Sequence, residues 1–562
     1  MVSVEAMQKI EAAADADGTS YDTMFERVSI AVTQRILQHT EGIKDARIAI
    51  LVGSGNNGGD GLVTATRLSM QSNVDVGVYL VKPRPEDDNM LQAVRDMGIF
   101  VAEAENDQQY RVLRNMVASA TIVVDAIFGI GVRLPLEGEI TKIMRNIHHA
   151  LGTAPLPPVE GTLVNPSQFA VQQPTRRVIA LDCPGGMNCD TGEVDKMTIP
   201  ADETITFIAV KQGMLNAPAA EYVGNLLVAD LGIPTNLDEL KAITTTYVDG
   251  AQAYAMLPAR PDVSHKGTFG KAMIVAGSVN YTGAAGLAAM GAYRAGAGLV
   301  TVAAPMPVIA ALASSLLEPT WVLVPHDMGV ISEKAADVIT EEMGSYSAML
   351  IGPGLGTEDT TGDMLLKLFE ETEPDGAPPA RSIGFAGVQK IEQKKDDDEA
   401  EPPASLPPLV IDADALNLLA KIENWWTYLP ANTILTPHPG EMARLCNIER
   451  ADVIANRVTL AQEKATEWDC IVLLKGAHTV IAAPDGKTAI LPFKTSALAT
   501  AGSGDVLAGI IISLLAQGAA PYEAAVAGGY LHGAASTLAV KSVGSARGVT
   551  AGDLIDGVGQ LL

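Results

Sequence analysis

The feature that most constrains the fold of this chain is a regular alternation of short apolar runs with helix-length stretches. In the first half, stretches such as Gly61–Ser72 and Asn89–Met97 separate five runs rich in β-branched residues: RIAILVG, VDVGVYLV, ATIVVDAIFG, RRVIALDCP and ETITFIAV. Such alternation implies parallel strands joined by right-handed helical crossovers. We therefore predict an α/β domain of three layers, with helices on both faces of a parallel sheet.

The same pattern starts again in the second half of the chain. Its apolar runs are KAMIVAGS, GLVTVAAP, AMLIGPG, PLVIDAD, TILTPHPG, CIVLLKG and TVIAAP, and they predict a second parallel sheet. A chain of 562 residues also exceeds what one hydrophobic core supports. We expect domains at 1–235 and 247–562, with Pro-rich, polar or charged insertions at about 151–175 and about 374–408 that form surface loops.

Charge and cysteine usage exclude several classes of protein. A net charge of -27 and a pI near 4.6 argue against binding nucleic acid or an anionic membrane through a basic face. The four cysteines form no CxxC pair, so neither a zinc site nor a disulfide scaffold is indicated. The N-terminal residues lack the apolar segment of a signal peptide, and no apolar run has membrane-spanning length. We expect a cytoplasmic homo-oligomer acting on small molecules.

Polar residues follow three strands of the first half. RIAILVG leads directly into GSGNNGGDG. A turn needs only the glycines of this segment, so the polar residues Asn56, Asn57 and Asp60 indicate a further role. Asp125 and Asp182 end two further predicted strands. Because ligands of open parallel sheets bind at the carboxyl ends of strands, Asn57, Asp125 and Asp182 are expected to converge. Each aspartate could instead cap a helix, and the glycine loop could be a plain turn.

The second half ends in a helix preceded by A-G-S-G-D. Backbone amides of Gly502–Gly504 could bind an anion at the start of this helix. Asp505 lies in the first turn, where its carboxylate could accept the proton of a hydroxyl that receives a phosphoryl group. A capped helix after a glycine turn is the structural alternative.

The first-half motifs GSGNNGGDG, VDAIFGIG, LDCPGG…DTG and ADETITFIAVKQG resemble the Rossmann-like N-terminal domain of NAD(P)H-hydrate epimerases. The resemblance implies an acid/base role for Asp182, with Lys211 either its partner or an ordinary solvated lysine. It also implies potassium at Asn57, Asp125 and Gly185, although the family usually has serine where Gly185 stands. The hydrated nucleotide would contact Asn56, Asn57, Gly58, Gly59, Asp60, Gly129, Ile130, Gly131, Val132, Arg133, Leu134, Pro135 and Asp182.

The second-half motifs TGAAGLAA, GPGLG, PHPGE, KGAHT and AGSGD resemble the ribokinase-like, ADP-dependent NAD(P)H-hydrate dehydratases. The hydrated nucleotide would then contact Ala285, Gly356, His438 and Asp505. For His438, the alternative of a plain loop histidine stays open. Magnesium would accompany the nucleotide, without ligands assignable from the sequence. ADP would contact Lys475, Gly476, Ala477, His478, Thr479, Thr495, Ser496, Ala497, Leu498, Ala499, Thr500, Ala501, Gly502, Ser503 and Gly504.

Together the two resemblances imply repair of hydrated nicotinamide cofactors. One domain would interconvert the R and S forms of NAD(P)H hydrate, and the other would dehydrate the S form with ADP, giving AMP and phosphate. Two alternatives stay open. One is a ribokinase-like small-molecule kinase whose N-terminal domain only binds a nucleotide, and the other is a non-catalytic nucleotide-binding regulator.

Overall fold

The β-branched runs of the first half form a seven-stranded sheet in the computed structural model. Its strand order is β3-β2-β1-β4-β5-β6-β7, and all of its strand pairs are parallel, which confirms the α/β prediction. The strands are β1 (Ala46–Val52), β2 (Val74–Leu80), β3 (Phe100–Glu103), β4 (Ile122–Ala126), β5 (Arg177–Leu181), β6 (Glu203–Phe207) and β7 (Asn225–Ala229). The two edge strands, β3 and β7, were not predicted from the sequence.

Helices cover both faces of this sheet. They are α1 (Val4–Ala16), α2 (Tyr21–Thr40), α3 (Asn56–Ser69), α4 (Asn89–Asp96), α5 (Arg111–Ser119), α6 (Glu139–Gly152) and α7 (Asp238–Lys241). One apolar cluster joins α2, α3 and α4 to one face, and a second joins α5 and α6 to the other. Helix α1 belongs to neither cluster; its Met7 and Ile10 pack against Ile130 and Ile208, which follow β4 and β6.

The second half forms a ten-stranded sheet of order β11-β10-β9-β14-β15-β16-β17-β18-β19-β8. Its strands are β8 (Thr245–Tyr247), β9 (Lys271–Val275), β10 (Leu299–Ala304), β11 (Thr320–Leu323), β14 (Ala348–Ile351), β15 (Leu409–Ile411), β16 (Ile434–Leu435), β17 (Ile471–Leu474), β18 (Val480–Ala482) and β19 (Thr488–Ile490). A separate antiparallel pair is formed by β12 (His326–Asp327) and β13 (Val330–Ile331).

The prediction of a wholly parallel second sheet is wrong at one edge. Strands β17, β18 and β19 pair antiparallel, whereas the pairs from β11 through β17 are parallel. The physical reason is the short connection between Leu474 and Val480, since a parallel crossover needs a dozen or more residues.

The helices of the second half surround one large apolar core. They are α8 (Gly250–Ala255), α9 (Thr282–Arg294), α10 (Met306–Leu312), α11 (Ala335–Met343), α12 (Asp359–Glu370), α13 (Asp414–Leu419), α14 (Pro439–Cys446), α15 (Arg450–Ala455), α16 (Arg457–Trp468), α17 (Ser503–Ala516), α18 (Pro521–Val543) and α19 (Ala551–Leu561). Helix α17 is buried from Val506 to Ala516. Glycines bring it close to α9: a Cβ atom on Gly509 would lie 2.2 Å from the Ala288 carbonyl oxygen, and one on Gly291 would lie 2.8 Å from that of Val506.

The chain divides into two units, residues 1–245 and 246–562. The structure describes residues 1–71, 73–85, 87–152, 176–370 and 405–562. Most of both expected insertions therefore lies outside the described residues, although helix α6 extends through Gly152. Among the helices of the described ranges, none combines the length and the apolar character that crossing a membrane requires.

Candidate active sites

The carboxyl ends of the first sheet open into a cavity of about 730 Å³. The structure brings together there most of the residues that the epimerase resemblance implies. Those lining the cavity are Asn56, Asn57, Asp60, Gly129, Ile130, Gly131, Val132, Arg133, Pro135 and Asp182. Gly58, Gly59 and Leu134 do not line it. At Gly58 a side chain is sterically excluded, because a Cβ atom would lie 2.1 Å from the Gly53 carbonyl oxygen.

Asp182 and Lys211 form a buried ion pair at this cavity. Lys211 Nζ lies 2.5 Å from Asp182 Oδ1 and also donates to Thr206 Oγ1 at 2.9 Å and to the Phe207 carbonyl at 3.2 Å. The lysine is only 1% exposed, so the alternative of a solvated lysine is wrong. Asp182 directly follows β5 in the left-handed region, with φ of 62°, and caps no helix. The Asp182 carboxylate thus faces the cavity, and the ammonium group of Lys211 holds it in place.

Asn57 and Asp125 lie buried beneath the same loops. The Asn57 amide donates to the carbonyls of Phe128 at 2.6 Å and Leu181 at 3.0 Å, and its Oδ1 is buried without a hydrogen-bond partner. Burial raises the pKa of Asp125 to about 6, against the opposing effect of two backbone N–H donors, Gly185 and Ile127. A Cβ atom at position 185 would approach Asp125 Oδ2 to 3.0 Å, so glycine allows the close N–H contact at 2.8 Å.

Two further carboxyl groups face the Asp182–Lys211 pair. Burial raises the pKa of Asp60 well above its ordinary value, and the charges of Asp182 and Glu11 add to this rise. Glu11, on α1, is half-buried, and its pKa is also raised, first by burial and then by Asp182. Glu11 was not predicted from the sequence. The stripe of Met7, Ile10 and Ala14 could have indicated the helix, but no sequence signal placed that helix beside the cavity.

In the second unit, the proposed anion loop opens helix α17. Gly502 precedes the helix in the left-handed region, with φ of 85°. Asp505 lies in the first turn, and no side chain caps the helix, so the capping alternative for Asp505 is wrong. A Cβ atom on Gly504 would lie 3.6 Å from Lys475 Nζ and 3.9 Å from Asp412 Oδ2. The start of α17 therefore lies directly against these two charged groups.

Lys475 is surrounded by acidic side chains. Its Nζ donates to Asp412 Oδ1 at 2.8 Å and lies 3.9 Å from Glu441 Oε2. Burial alone would lower the pKa of Lys475, but the charges of Asp412 and Glu441 outweigh it and raise that pKa. Burial raises the pKa of Asp505 to about 7, with Asp412 adding to this effect and Lys475 opposing it. Burial likewise raises the pKa of Glu441 to about 7.

Hydrogen bonds hold the segments expected to bind ADP against their neighbours. Lys475 N donates to the Pro437 carbonyl at 2.9 Å, and His478 N donates to the Phe493 carbonyl at 2.8 Å. Ser503 Oγ donates to the Leu498 carbonyl at 2.8 Å, which closes the loop before α17. The bond to Pro437 places KGAHT beside PHPGE, and the approach of Gly504 to Lys475 places AGSGD beside KGAHT, although the three motifs are separate in the sequence.

His438 caps a helix, so the alternative of a plain loop histidine is wrong. It caps α14: its Nδ1 accepts from the backbone N–H groups of Gly440 and Glu441, and Glu441 Oε2 accepts from His438 N at 2.7 Å. Burial lowers the pKa of His438, and nearby Lys475 and Arg444 add to this effect. Because Nδ1 accepts, the proton of the neutral ring lies on Nε2.

The remaining predicted contacts, Ala285 and Gly356, are both buried. Ala285 is 0% exposed within α9, and a Cβ atom on Gly277 would lie 3.2 Å from its methyl group. Gly356 has φ of 85° and donates its N–H to Asp414 Oδ2 at 2.9 Å. For these two positions, a ligand contact rests on the motif resemblance alone.

Comparison with known proteins agrees with the motifs. A family model described as YjeF-related protein N-terminus matches residues 21–213, and one described as NAD(P)H-hydrate dehydratase matches residues 272–376 and 387–558. The bifunctional NAD(P)H-hydrate repair enzyme Nnr of Moorella thermoacetica is 35% identical over 540 residues, which cover 95% of this chain and 91% of that protein. Its Escherichia coli counterpart is 31% identical over 511 residues, covering 90% and 83%.

Solved structures are also similar to this chain. One of them is a crystal structure of the ADP/ATP-dependent NAD(P)H-hydrate dehydratase from Bacillus subtilis, co-crystallized with ATP/Mg2+. It is 31% identical, has a TM-score of 0.45, and the match covers 57% of this chain and 98% of that one. The similarity to full-length relatives confirms both resemblances predicted from the motifs. This chain belongs to the family of bifunctional NAD(P)H-hydrate repair enzymes.

Proposed function

We propose that this protein restores hydrated NADH and NADPH, the first unit epimerising the R and S hydrates and the second dehydrating the S form with ADP. One observation carries the assignment of both sites. In each unit a carboxyl group lies beside a buried or half-buried lysine at the carboxyl ends of parallel strands: Asp182 with Lys211, and Asp412 with Lys475. Both pairs lie where open α/β sheets bind their ligands.

In the first unit, the chemistry is inversion of a carbon that bears a hydroxyl next to the ring nitrogen. The nitrogen lone pair can expel that hydroxyl as water, and water can then add from the other side. Asp182 is the proposed proton acceptor for the incoming water. Lys211 is the positioning residue: bonds to Thr206 and Phe207 hold its ammonium group, which donates to the Asp182 carboxylate.

In the second unit, the substrate hydroxyl attacks the terminal phosphorus of ADP, and the bond to AMP breaks. Asp505 accepts the hydroxyl proton, a role that suits a carboxyl group with a pKa of about 7. Phosphate is a far better leaving group than hydroxide. The ring nitrogen then expels it, and loss of a proton from the neighbouring carbon restores the ring double bond. The amides at the start of α17 and Lys475 would hold the phosphates.

A potassium ion fits the first unit. Asn57 has a buried amide oxygen without a partner, and Asp125 has a fully buried carboxylate, both suitable oxygen ligands for a cation. We propose that these two side chains hold it, with the backbone at Gly185 completing the site. A bound cation supplies positive charge beneath the substrate loop. Magnesium would accompany the nucleotide phosphates in the second unit.

The alternative of a small-molecule kinase is less well supported, because the full-length relatives are named as repair enzymes. The departure from the family serine at Gly185 is the one feature in favour of the regulator alternative. There, however, the Gly185 N–H bonds directly to Asp125, so the glycine still takes part in the site. A cytoplasmic location and a homo-oligomeric state stay predictions.

The function can be tested with the pure R and S hydrates of NADH. The protein is supplied with potassium, magnesium and either ADP or ATP, and recovery of NADH is followed by its absorbance. Both hydrates should be recovered, and the R form should be consumed only through the S form. A phosphorylated product that accumulates without NADH would instead identify the kinase alternative.

A further inference from the structure

We propose that Glu11 of helix α1 is a second acid–base residue of the epimerase site, facing Asp182 and Lys211 from another wall of the cavity. This inference rests on the proposed epimerase function and names a residue for it. The family model that matches the first unit begins at residue 21, after α1.

Helix α1 is fixed relative to Lys211 through the backbone. Val2 forms a β-bridge with Lys211: Val2 N donates to the Val210 carbonyl and Gln212 N donates to the Val2 carbonyl, both at 2.9 Å. Ser3 then caps the helix, and Val4 N donates to Asp190 Oδ1 at 2.8 Å. The start of α1 is thus fixed to the segment that carries Lys211.

Packing then sets which face of α1 meets the cavity. Met7 and Ile10 are fully buried against Ile130 and Ile208, which border the glycine loop and the end of β6. Gln8 and Glu11 lie next to this apolar stripe, and both line the cavity together with Asp182. Glu11 therefore occupies a defined place at the site.

The electrostatic setting of Glu11 is complementary to that of Asp182. Asp182 has its own lysine at 2.5 Å, which suits a carboxylate that accepts a proton. The pKa of Glu11 is raised by burial and by the charge of Asp182, and is lowered only in part by Lys211. Two carboxyl groups whose environments differ in this way are suited to opposite roles, one as the acid and one as the base.

Epimerisation requires such a pair. Water must leave from one face of the ring and return to the other, and one carboxyl group does not reach both faces. The Glu11 carboxyl protonates the departing hydroxyl; the C–O bond breaks with its electron pair on the water, and the nitrogen lone pair forms a C=N bond. Water then adds on the side of Asp182, which takes its proton, and the nitrogen recovers its pair. The reverse reaction exchanges the two roles, and solvent returns each group to its starting protonation state.

Asp60 is the competing candidate for this role. It is 6% exposed and lines the cavity from the first turns of α3, the helix that also carries Asn57 and begins shortly after β1. Asp60 and Asp182 thus both follow the ends of strands, whereas Glu11 comes from α1, which packs against Ile130 and Ile208. Because Glu11 comes from a different element than Asp182, it is favoured over Asp60 as the group on the opposite face of the substrate ring.

The test compares four variants of the full-length protein with pure R hydrate of NADH as the substrate. Glu11→Gln should lower kcat for epimerisation by about 10² to 10⁴-fold, with KM unchanged. Glu11→Asp should restore part of kcat, and Asp60→Asn should alter KM rather than kcat. Glu5→Gln is the matched control, because Glu5 lies on the same helix, is exposed and pairs with Lys9. A KM equal to that of the wild type shows that the variant site is folded.

Two further readouts separate chemistry from structure. The wild-type pH profile of kcat should have two limbs, and Glu11→Gln should lose the limb on the alkaline side, where the acid loses its proton. The other titratable groups facing Glu11, namely Asp60, Asp182, Lys211 and Tyr21, are retained in that variant. In water enriched in ¹⁸O, the epimerised product should gain the label, and Glu11→Gln should slow this exchange in parallel with kcat.

The outcomes distinguish the inference from the function on which it rests. A wild-type protein that does not epimerise the R hydrate refutes the proposed function. If the wild type is active, an unchanged kcat and pH profile in Glu11→Gln overturns the role of Glu11. A rise in KM alone, or a loss of kcat in Asp60→Asn and not in Glu11→Gln, overturns it equally.

Discussion

Replacing Asp505 with asparagine separates the chemistry of the second unit from its stability. Asparagine keeps the size and polarity of the side chain at the start of α17, but it does not accept the proton of the substrate hydroxyl. Dehydration should therefore fall by about 10² to 10⁴-fold. The same substitution should make the second unit more stable at neutral and alkaline pH, because it removes a carboxylate held near Asp412 and away from water.

The gain in stability follows from the pKa of Asp505. Burial raises it from its ordinary value of 3.8 to about 7. At about 1.4 kcal/mol per pKa unit, this rise means that ionised Asp505 destabilises the folded state by about 4 kcal/mol. The side chain keeps partial contact with solvent, so screening reduces the expected value to about 2 kcal/mol.

The dependence on pH has a definite sign. Between pH 3.8 and about 7 the unfolded carboxyl is ionised while the folded one keeps its proton, so the unfolded state binds fewer protons and stability falls as pH rises. The advantage of the asparagine variant should thus be absent below about pH 4, grow up to about pH 7 and then stay constant.

Tryptophan fluorescence provides the assay. All four tryptophans lie in the second unit, at positions 321, 425, 426 and 468, so their emission during urea unfolding reports on that unit alone. Asp556→Asn is the matched control, because the Asp556 side chain is 69% exposed on α19 of the same unit. We expect the control to change stability by less than about 0.5 kcal/mol.

Two results would refute this reasoning. If Asp505→Asn and the wild type unfold at the same urea concentration at pH 8, the carboxylate is not disfavoured in the folded state. If the variant still regenerates NADH at a rate close to that of the wild type, the proton acceptor lies elsewhere in the second unit.

The remaining predictions concern both units. Asp182→Asn should abolish epimerisation of the R hydrate while dehydration of pure S hydrate continues; R hydrate that is still consumed at the wild-type rate would contradict the role of Asp182. Potassium should stabilise the first unit, by up to about 2.7 kcal/mol at a hundredfold excess over its Kd, and should therefore raise its thermal midpoint. Asp125→Asn should remove this response. The unfolding of the first unit is measured by circular dichroism, as the transition that tryptophan fluorescence does not report. Equal midpoints in potassium and in choline would exclude the potassium site. For dehydration, kcat/KM should rise with pH up to about 7 and then level off, because Asp505 must be ionised to accept a proton; a rate independent of pH from 5 to 8 would contradict this.

Strand periodicity predicted the central part of both sheets, where strands are buried on both faces. It failed at the edges. Strand β3, with the sequence FVAE, and strand β7, with NLLVA, are short and partly exposed, so they carry no long apolar signal. The antiparallel pair β17–β18 was predictable from the five residues that connect the strands, because no parallel crossover is that short.

The candidate sites were predicted where function depends on a local motif and not where it depends on packing. The ends of β4 and β5 indicated Asp125 and Asp182, because chain direction alone places them. The burial of Lys211 was undecided, since its hydrogen bonds to Thr206 and Phe207 arise only from the fold after β6. Glu11 was missed for a similar reason: α1 reaches the cavity through the bridge between Val2 and Lys211.

The contact between α9 and α17 sets a limit on how the second unit can vary. Alanine at Gly509 or Gly291 would place a methyl group against the backbone of the other helix, so the two helices would have to move apart. Such a movement would carry the first turn of α17 with it, including Asp505. Random mutagenesis should accordingly yield inactive clones at these two glycines, although neither is a predicted ligand contact, and directed evolution of the dehydratase should retain glycine at both positions. An alanine tolerated there with full activity would mean that the helix pair adapts more easily than its backbone contacts imply.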